Sequence, residues 1–252
     1  MEVDNVYLDY RNSITLSIKD GNLNSFKSSD DYRCILEHVS PDLGNKYYDL
    51  IKKEFFIEDE KIIKFCELND FYGRPDKYLI KNLNTIVSPT SLRYIFHSLL
   101  IIDHIRSLNL SKLNIVEVGA GYGGLALCMN YFGSDLIESY TCIDFPEVLQ
   151  LQKLYLSKFQ LNFLVSFVDC STFGYSIDKP NIFFISNYGF SEISETKRNK
   201  YSEILIPKVQ HGFMAWCGVD VYNFGKGEVK FVDERPMTAG GGFASGNKFV
   251  YF

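Results

Sequence analysis

The chain has 252 residues, of which 46% are apolar and 15% aromatic, and it carries a formal net charge of −5 with a pI near 5.4. This length and composition predict a globular protein with one full α/β core and a smaller additional region. The acidic balance and the lack of a basic run disfavour nucleic acid as the main partner, because its phosphates bind basic patches.

The six cysteines form no C-x-x-C pair and are typical of reduced thiols, which predicts a cytoplasmic location. The first residues, M-E-V-D-N-V-Y-L-D-Y, carry acids where an export signal needs bases. No apolar run approaches the ~18 residues of a membrane span, so we expect no span. The sequence leaves the oligomeric state open.

We predict an N-terminal helical cap on the substrate side, over residues 1–87, and a second domain over residues 88–252. The first 30 or so residues are polar and are expected to be irregular or a short hairpin. Capping residues and apolar spacing predict helices over Ser28–Val39, Pro41–Phe56 and Glu58–Leu68.

A polar and aromatic stretch, N-D-F-Y-G-R-P, ends the third of these helices at Asn69–Pro75. Gly73 and Pro75 break the helix, and Tyr72 is a candidate for contact with a substrate. An ordinary connection between two elements would explain the same composition.

A long helix is predicted to start at S-P-T, Ser88 to Thr90, because apolar residues then recur at helical spacing. Arg93 lies in its first turn, where a cation opposes the helix dipole. An arginine in this position either holds an anion or lies exposed to solvent.

The central motif of the chain runs from Leu113 to Leu127, L-N-I-V-E-V-G-A-G-Y-G-G-L-A-L, and predicts a strand, a glycine turn and a helix. Such a turn lets the backbone approach a ligand closely, and the helix N-terminus offers unpaired N–H groups. The spacing fits two cofactor classes. Gly119, Gly121 and Gly124 satisfy the G-x-G-x-x-G pattern of dinucleotide sites, whereas Gly119, Gly121 and Gly123 satisfy the E-x-G-x-G-x-G pattern of S-adenosylmethionine (SAM) enzymes.

Glu117, in the strand before the turn, favours SAM. A carboxylate inside a sheet covered on both faces costs several kcal/mol, roughly, unless something pairs with it. SAM offers an ammonium and a sulfonium, whereas an acid would repel the pyrophosphate of NAD. The carboxylate of SAM is then a candidate anion for Arg93.

Acidic residues follow the next two predicted strands. Asp144 comes after Ser139–Ile143 and could accept both ribose hydroxyls, a role shared by SAM and NAD sites. Asp169 comes after Asn162–Val168 and could accept from the adenine amino group. Since open α/β sheets bind ligands at the carboxyl ends of their strands, the neighbours Phe145 and Cys170 are included as cofactor candidates.

The fourth predicted strand, Asn181–Ile185, leads into S-N-Y-G-F-S-E, at the strand end that should face the transferable methyl group. Asn187 is a cofactor candidate and Tyr188 a substrate candidate. Glu192 is either the catalytic base or a capping acid of the following helix.

His211 opens the fifth predicted strand and is a second candidate for the base, with a structural role as the alternative. Two final strands are predicted at Glu228–Val232 and Asn247–Phe252. The glycine-rich loop between them is either mobile or shaped to admit a ligand, and it includes the substrate candidate Arg235.

Taken together, the chain resembles the class I SAM-dependent methyltransferases, and more narrowly is similar to the sugar O-methyltransferase family found in polysaccharide-building gene sets. The resemblance covers roughly residues 66–252 and lies in the order of five motifs: N-D-F-Y-G-R-P, S-P-T-S-L-R-Y, E-V-G-A-G-Y-G-G, D-F-P-E-V and S-N-Y-G-F-S-E. It implies that Glu117, Gly119 and Gly121 hold the methionine part of SAM, Asp144 the ribose and Asp169 the adenine end.

The expected fold is therefore a Rossmann-like SAM-methyltransferase α/β fold, with a seven-stranded, mostly parallel sheet whose last strand is antiparallel. The expected reaction is methyl transfer from SAM to a hydroxyl of a small-molecule sugar, a nucleotide sugar or a glycan end, in polysaccharide or glycan biosynthesis. No metal-ligand cluster of convincing spacing is found, and the need for a divalent metal is left to experiment.

Two other functions stay open. One is a nucleobase or protein N-methyltransferase, although N-Y-G-F at Asn187–Phe190 lacks the two prolines of the motif that such enzymes keep there. The other is a SAM-binding subunit without catalytic activity.

Overall fold

The computed structural model describes residues 3–19, 21–222, 224–238 and 246–252, with side chains from residue 7 onward. It contains two compact units, each built from three segments. The first unit comprises Met1–Asp103, Gly121–Gly133 and Gln150–Leu161, and the second comprises His104–Ala120, Ser134–Leu149 and Asn162–Phe252. The limits of these units do not coincide with the predicted domain boundary between residues 87 and 88. The division into an N-terminal cap and a second domain stays a prediction.

The first unit is mainly helical. Its elements are α1 (Val3–Ser17), α2 (Asp30–Arg33), α3 (Pro41–Leu50) with a π-helical turn (Ile51–Phe55), α4 (Asp59–Asp70), the hairpin β1 (Tyr78–Ile80) and β2 (Thr85–Val87), most of α5 (Pro89–Ser107), α6 (Gly124–Gly133) and the second half of α7 (Pro146–Leu156). α3 and α4 confirm two of the predicted helices, and α5 starts where S-P-T predicted it.

Helix α1 corrects the prediction that the first 30 residues are irregular. Tyr10, Ile14 and, just past the helix end, Ile18 are buried. Residues four apart lie on one face of a helix, so these scattered apolar residues form a single buried stripe.

The predicted helix Ser28–Val39 is reduced to the four residues of α2. Ser40 precedes Pro41 and has extended backbone angles, φ −72° and ψ 159°, because the proline ring crowds a helical conformation there. The Leu36 carbonyl, which would accept from Ser40 in a continued helix, instead accepts from the Arg93 guanidinium at 3.0 Å.

A buried polar network holds the first unit together around Asn69. The Asn69 Oδ1 accepts from the hydroxyls of Tyr155 (2.8 Å) and Tyr122 (3.1 Å), and its Nδ2 donates to Ser91 (2.7 Å). The backbone carbonyl of Asn69 accepts from Lys27, whose fully buried ammonium lies 4.2 Å from the centre of the Tyr122 ring. Burial lowers the pKa of Lys27, so the network must compensate for a desolvated cation.

The second unit contains a sheet of seven strands within the described residues. The strands are β3 (Leu113–Val118), β4 (Ile137–Asp144), β5 (Leu164–Asp169), β6 (Ile182–Asn187), β7 (Val209–Trp216), β8 (Lys230–Asp233) and β9 (Lys248–Tyr251), in the order β5-β4-β3-β6-β7-β9-β8. β3 to β7 are parallel, and β9 is antiparallel to both β7 and β8. The Rossmann-like sheet with an antiparallel last strand is confirmed.

The helices α8 (Gly189–Glu192) and α9 (Glu195–Ile204) follow β6. α9 packs on the sheet through Tyr201, which joins a buried apolar cluster with Phe184, Met214 and Trp216. This cluster covers one face of β6 and β7, so the loop after β6 is anchored at both of its ends. Within the described residues, no helix is both long enough and apolar enough to cross a membrane.

Candidate active site

The candidate site lies at the carboxyl ends of β3 to β6. β4 and β5 lie on one side of β3, whereas β6 and β7 lie on the other side. The direction of the crossover connections therefore reverses between β3 and β6, and ligands of open α/β sheets bind at such a switch point. Glu117 of β3 pairs in register with Ile185 of β6, which places both strands' last residues at this point.

Glu117 is a buried acid at the switch point, with 2% of its surface exposed. Its Oε2 accepts a hydrogen bond from the Tyr140 hydroxyl at 2.7 Å. Burial raises the pKa of Glu117 to about 8, the Tyr140 hydrogen bond opposes this rise, and the nearby Asp144 adds to it. Among the described residues, no Lys, Arg or His forms an ion pair with Glu117, so the position suits a cation supplied from outside the chain.

The glycine turn after β3 is in close contact with the loop after β6. Gly119 has φ +76°, and a Cβ there would lie 3.2 Å from the Cα of Gly189. The Ser186 hydroxyl donates to the Val118 carbonyl at 2.7 Å and holds the two segments together. Two glycines are therefore needed for this approach of two backbones.

The two acids that end β4 and β5 are neighbours. Asp144 pairs in register with Asp169, so their Cα atoms lie about 5 Å apart, as in any parallel ladder. Asp144 is 8% exposed and its Oδ1 accepts from the Phe145 N–H at 2.9 Å. Asp169 is half-buried, and its Oδ1 caps the short turn that begins at Cys170 by accepting from Ser171 N–H at 2.8 Å.

Asn187 ends β6, Tyr188 directly follows it, and both lie half-buried beside the switch point. Asn187 pairs with Ala215 of β7. The Oδ1 of Asn187 is buried and has no hydrogen-bond partner among the described residues. A buried acceptor without a donor is costly, and a bound ligand with an N–H or O–H group would satisfy it.

The two predicted base candidates lie at different places. Glu192 ends α8, is exposed to solvent, and accepts a weak contact from the Cys217 thiol at 3.5 Å. Ser194 holds the N-cap position of α9, and Glu192 lies two residues before it. His211 pairs with Phe183 near the amino end of β7, four residues before Ala215, which is about 13 Å along a strand. His211 is therefore remote from the carboxyl ends.

Three predicted site residues belong to the first unit: Arg93, Gly121 and Tyr72. Arg93 is buried, and its guanidinium donates to the Leu36 carbonyl. The Leu36 side chain lies beside the glycine turn, where a Cβ on Gly121 would meet it at 3.0 Å. Tyr72 packs edge-on against Phe159 next to a surface cavity of about 190 Å³.

Arg235 follows β8, and most of the glycine-rich loop to which it belongs, residues 239–245, lies outside the described residues. Its neighbour Glu234 was missed by the sequence analysis. Glu234 is 3% exposed and accepts a hydrogen bond from the Tyr188 hydroxyl. Because β8 runs parallel to β3 to β7, an acid just past its end could have been found by the reasoning that selected Asp144 and Asp169.

Groups of three or more His, Cys, Asp or Glu side chains arranged to hold a metal ion are not found in the described part of the chain.

No model of a known protein family matches the sequence, and no curated protein matches it. Solved structures do match, 348 chains in all. An rRNA methylase from Streptococcus thermophilus is 12% identical over 60% of this chain and 92% of its own, with a TM-score of 0.43. CalS10, a SAM-bound amino pentose methyltransferase from Micromonospora echinaspora, is 10% identical over 55% of this chain and 57% of its own, with a TM-score of 0.41.

A SAM-dependent methyltransferase from Clostridium acetobutylicum is 12% identical over 74% of this chain and 66% of its own, with a TM-score of 0.39. The match to the amino pentose methyltransferase covers 57% of that enzyme, so this chain spans little more than half of its length. Likeness at TM-scores below 0.5 supports neither a shared activity nor a shared substrate, so the functional assignment has to come from the residues themselves.

Proposed function

We propose that this chain is a SAM-dependent methyltransferase that transfers a methyl group to a hydroxyl of a small sugar. The observation that carries the proposal is Glu117: a buried acid, without a basic partner in the described residues, at the switch point of a Rossmann-like sheet and two residues before a glycine turn. Its raised pKa is the cost of burial, and a bound cation would reduce that cost.

The residues present fit SAM in their chemistry. Glu117 and the Asn187 Oδ1 are two acceptors that suit the ammonium of the methionine part. Asp144 and Asp169, side by side at the ends of β4 and β5, suit the hydroxyl and amino donors of an adenosine. Bound SAM supplies a methyl group that is already activated by a sulfonium.

The acceptor is proposed to be a sugar hydroxyl because the resemblance points to it and because the candidate substrate residue Tyr188 is aromatic. Aromatic faces stack on sugar rings, and an acidic chain is unsuited to following a phosphate backbone. Glu192 stays the predicted base from the sequence. The position of His211 near the amino end of β7 gives its catalytic role no support.

Proton release on SAM binding tests the cofactor assignment. With a pKa of about 8, Glu117 is mostly protonated at pH 7, and a bound cation favours its ionised form. Calorimetry in two buffers of different ionisation enthalpy should therefore show nearly one proton released per SAM at pH 7. The Glu117→Gln variant, which keeps the shape, should release none beyond what SAM itself contributes, and equal release by both proteins would contradict the assignment.

Incubation with radiolabelled SAM tests the acceptor assignment. The panel contains nucleotide sugars, free glycans, RNA and peptide, each with and without chelator. We expect label in a sugar fraction, and Asp144→Asn should weaken SAM binding roughly tenfold while keeping the Phe145 hydrogen bond. Label in RNA or peptide alone would replace the sugar by a nucleobase or protein acceptor, and loss of transfer on chelation would reveal a metal requirement.

A further inference from the structure

The backbone of Tyr188 has an unusual conformation at the place where the acceptor should bind. Its angles, φ 69° and ψ −36°, lie outside the left-handed helical region that non-glycine residues occasionally adopt. The Tyr188 N–H donates to the Ala215 carbonyl at 2.8 Å, and its carbonyl accepts from the N–H groups of Ser191 and Glu192. Strain of this kind persists where the surroundings enforce it, and it clusters at functional sites.

The Tyr188 hydroxyl is directed by Glu234, 46 residues further along the chain, whose Oε1 accepts its proton in a hydrogen bond. A phenol has one proton to donate. Because the Tyr188 hydroxyl already uses its proton in the hydrogen bond to Glu234, its oxygen can only accept a further hydrogen bond. A polar group that approaches this oxygen must therefore be a donor. The hydroxyl of a sugar is such a donor.

Glu234 is fixed from its other side. Its Oε2 accepts from the Thr238 N–H (3.1 Å), the Thr238 hydroxyl (2.6 Å) and the Asn247 amide (2.9 Å), and its own N–H donates to the Asn247 carbonyl at 3.0 Å. All of these donors are neutral. They hold a buried carboxylate with its Oε1 turned toward Tyr188.

We propose that Tyr188 is the catalytic residue that receives the proton of the acceptor hydroxyl, with Glu234 as the positioning residue that orients Tyr188 and takes up the proton it releases. The inference rests on the proposed methyl transfer to a hydroxyl and names the base that this reaction needs.

The proposed step conserves both protons and net charge. The S–CH₃ bond of SAM breaks with its electron pair left on sulfur as the acceptor oxygen forms the new C–O bond. The acceptor's proton passes to the Tyr188 oxygen, and the proton of Tyr188 passes to Oε1 of Glu234. One positive charge and one negative charge disappear together, so no charge is created in the buried site.

Glu192 is less suited to this role. It lies exposed at the end of α8, whereas Tyr188 is half-buried and Glu234 is almost fully buried. Burial matters because it excludes water from the relay, so a proton that moves between fixed groups requires no rearrangement of solvent during the reaction.

Two nearly isosteric variants test the pair by activity. A positioned base is typically worth ~100- to 10,000-fold in rate, so Tyr188→Phe should lower the single-turnover rate at least ~100-fold with SAM affinity within about twofold of the parent's. Glu234→Gln should do the same, because the amide carbonyl is needed by Thr238 and Asn247 and its NH₂ group must then face Tyr188. Tyr175→Phe and Glu203→Gln change exposed residues of the same unit and serve as matched controls with rates near the parent's.

A second measurement needs neither cofactor nor substrate. A tyrosine hydroxyl bonded to a buried carboxylate should give a downfield, slowly exchanging proton resonance in the ligand-free parent. The resonance should vanish in Tyr188→Phe and shift or vanish in Glu234→Gln, where the direction of the hydrogen bond is reversed. A spectrum unchanged in either variant overturns the inference.

The outcomes separate the two proposals. If the parent binds SAM and methylates an acceptor while Tyr188→Phe does so at the same rate, the base is elsewhere and only this inference fails. If the parent neither binds SAM nor transfers its methyl group to any acceptor of the panel, the proposed function fails and this inference fails with it.

Discussion

Replacing Glu117 by glutamine should change how the stability of the protein depends on pH. The folded protein keeps Glu117 protonated up to a pKa of about 8, whereas in the unfolded chain Glu117 ionises near its ordinary pKa of 4.5. Between these values the folded state holds one more proton than the unfolded state. Stability therefore falls as pH rises, by about 1.4 kcal/mol per pH unit for this one group. Below pH 4.5 the acid contributes no pH dependence.

Glutamine keeps the shape and an oxygen that can accept from the Tyr140 hydroxyl, but it does not titrate. The parent should therefore lose about 3.5 kcal/mol more stability than Glu117→Gln between pH 5 and pH 8, since the group is only partly titrated at both limits. Urea unfolding at half-unit pH intervals measures this difference. The buried acids Glu37 and Asp70 also have raised pKa values, chiefly because of burial, and taking the difference between the two proteins cancels their contributions.

Parallel pH profiles for the parent and Glu117→Gln would refute the reasoning, because they would mean that Glu117 ionises alike in the folded and unfolded states. A basic partner or penetrating water would then stabilise the carboxylate, and the case for a cationic ligand would lose its main support.

Two other substitutions test the packing around the site. Gly119→Ala should cost about 2 kcal/mol of stability and weaken SAM binding, because φ +76° disfavours a side chain and the new Cβ would press on Gly189. Asn69→Ala should cost about 3 kcal/mol in urea unfolding, because the buried Tyr155 hydroxyl would lose its acceptor.

Matched controls accompany both substitutions. Gly227→Ala adds a Cβ that meets nothing within 4 Å, and Asn82→Ala removes an exposed amide, so each should change stability by less than about 0.5 kcal/mol. A Gly119→Ala protein as stable as the Gly227→Ala protein would show that the two turns are not in contact. An Asn69→Ala protein as stable as Asn82→Ala would show that the buried network contributes little.

The strands of the second unit could be read from the sequence almost completely. Runs such as Ile182–Ile185 are apolar, short and bounded by turn residues, so this pattern predicts the strand ends within about two residues and, with them, the acids that end β4 and β5. The rule that ligands bind at these ends then selected Glu117, Asp144 and Asp169 without any long-range information.

The remaining features depend on contacts between distant parts of the chain. The pairing of Tyr188 with Glu234 joins residues 46 positions apart, and the network around Asn69 reaches Tyr155 at a separation of 86. No local pattern encodes such hydrogen bonds. Helix α1 is hard to predict for a different reason: its apolar residues stand singly within a polar segment, although their spacing does satisfy the helical period.

The contact between Gly119 and Gly189 couples the cofactor side of the proposed site to its acceptor side. One turn should bind the cofactor and the other leads into the acceptor loop, and a shift of either backbone presses on its neighbour. Occupancy of one side therefore changes the affinity of the other, and thermodynamic reciprocity requires that both affinities change by the same factor. The ratio of SAM affinities measured with and without bound acceptor should consequently equal the ratio of acceptor affinities measured with and without bound SAM.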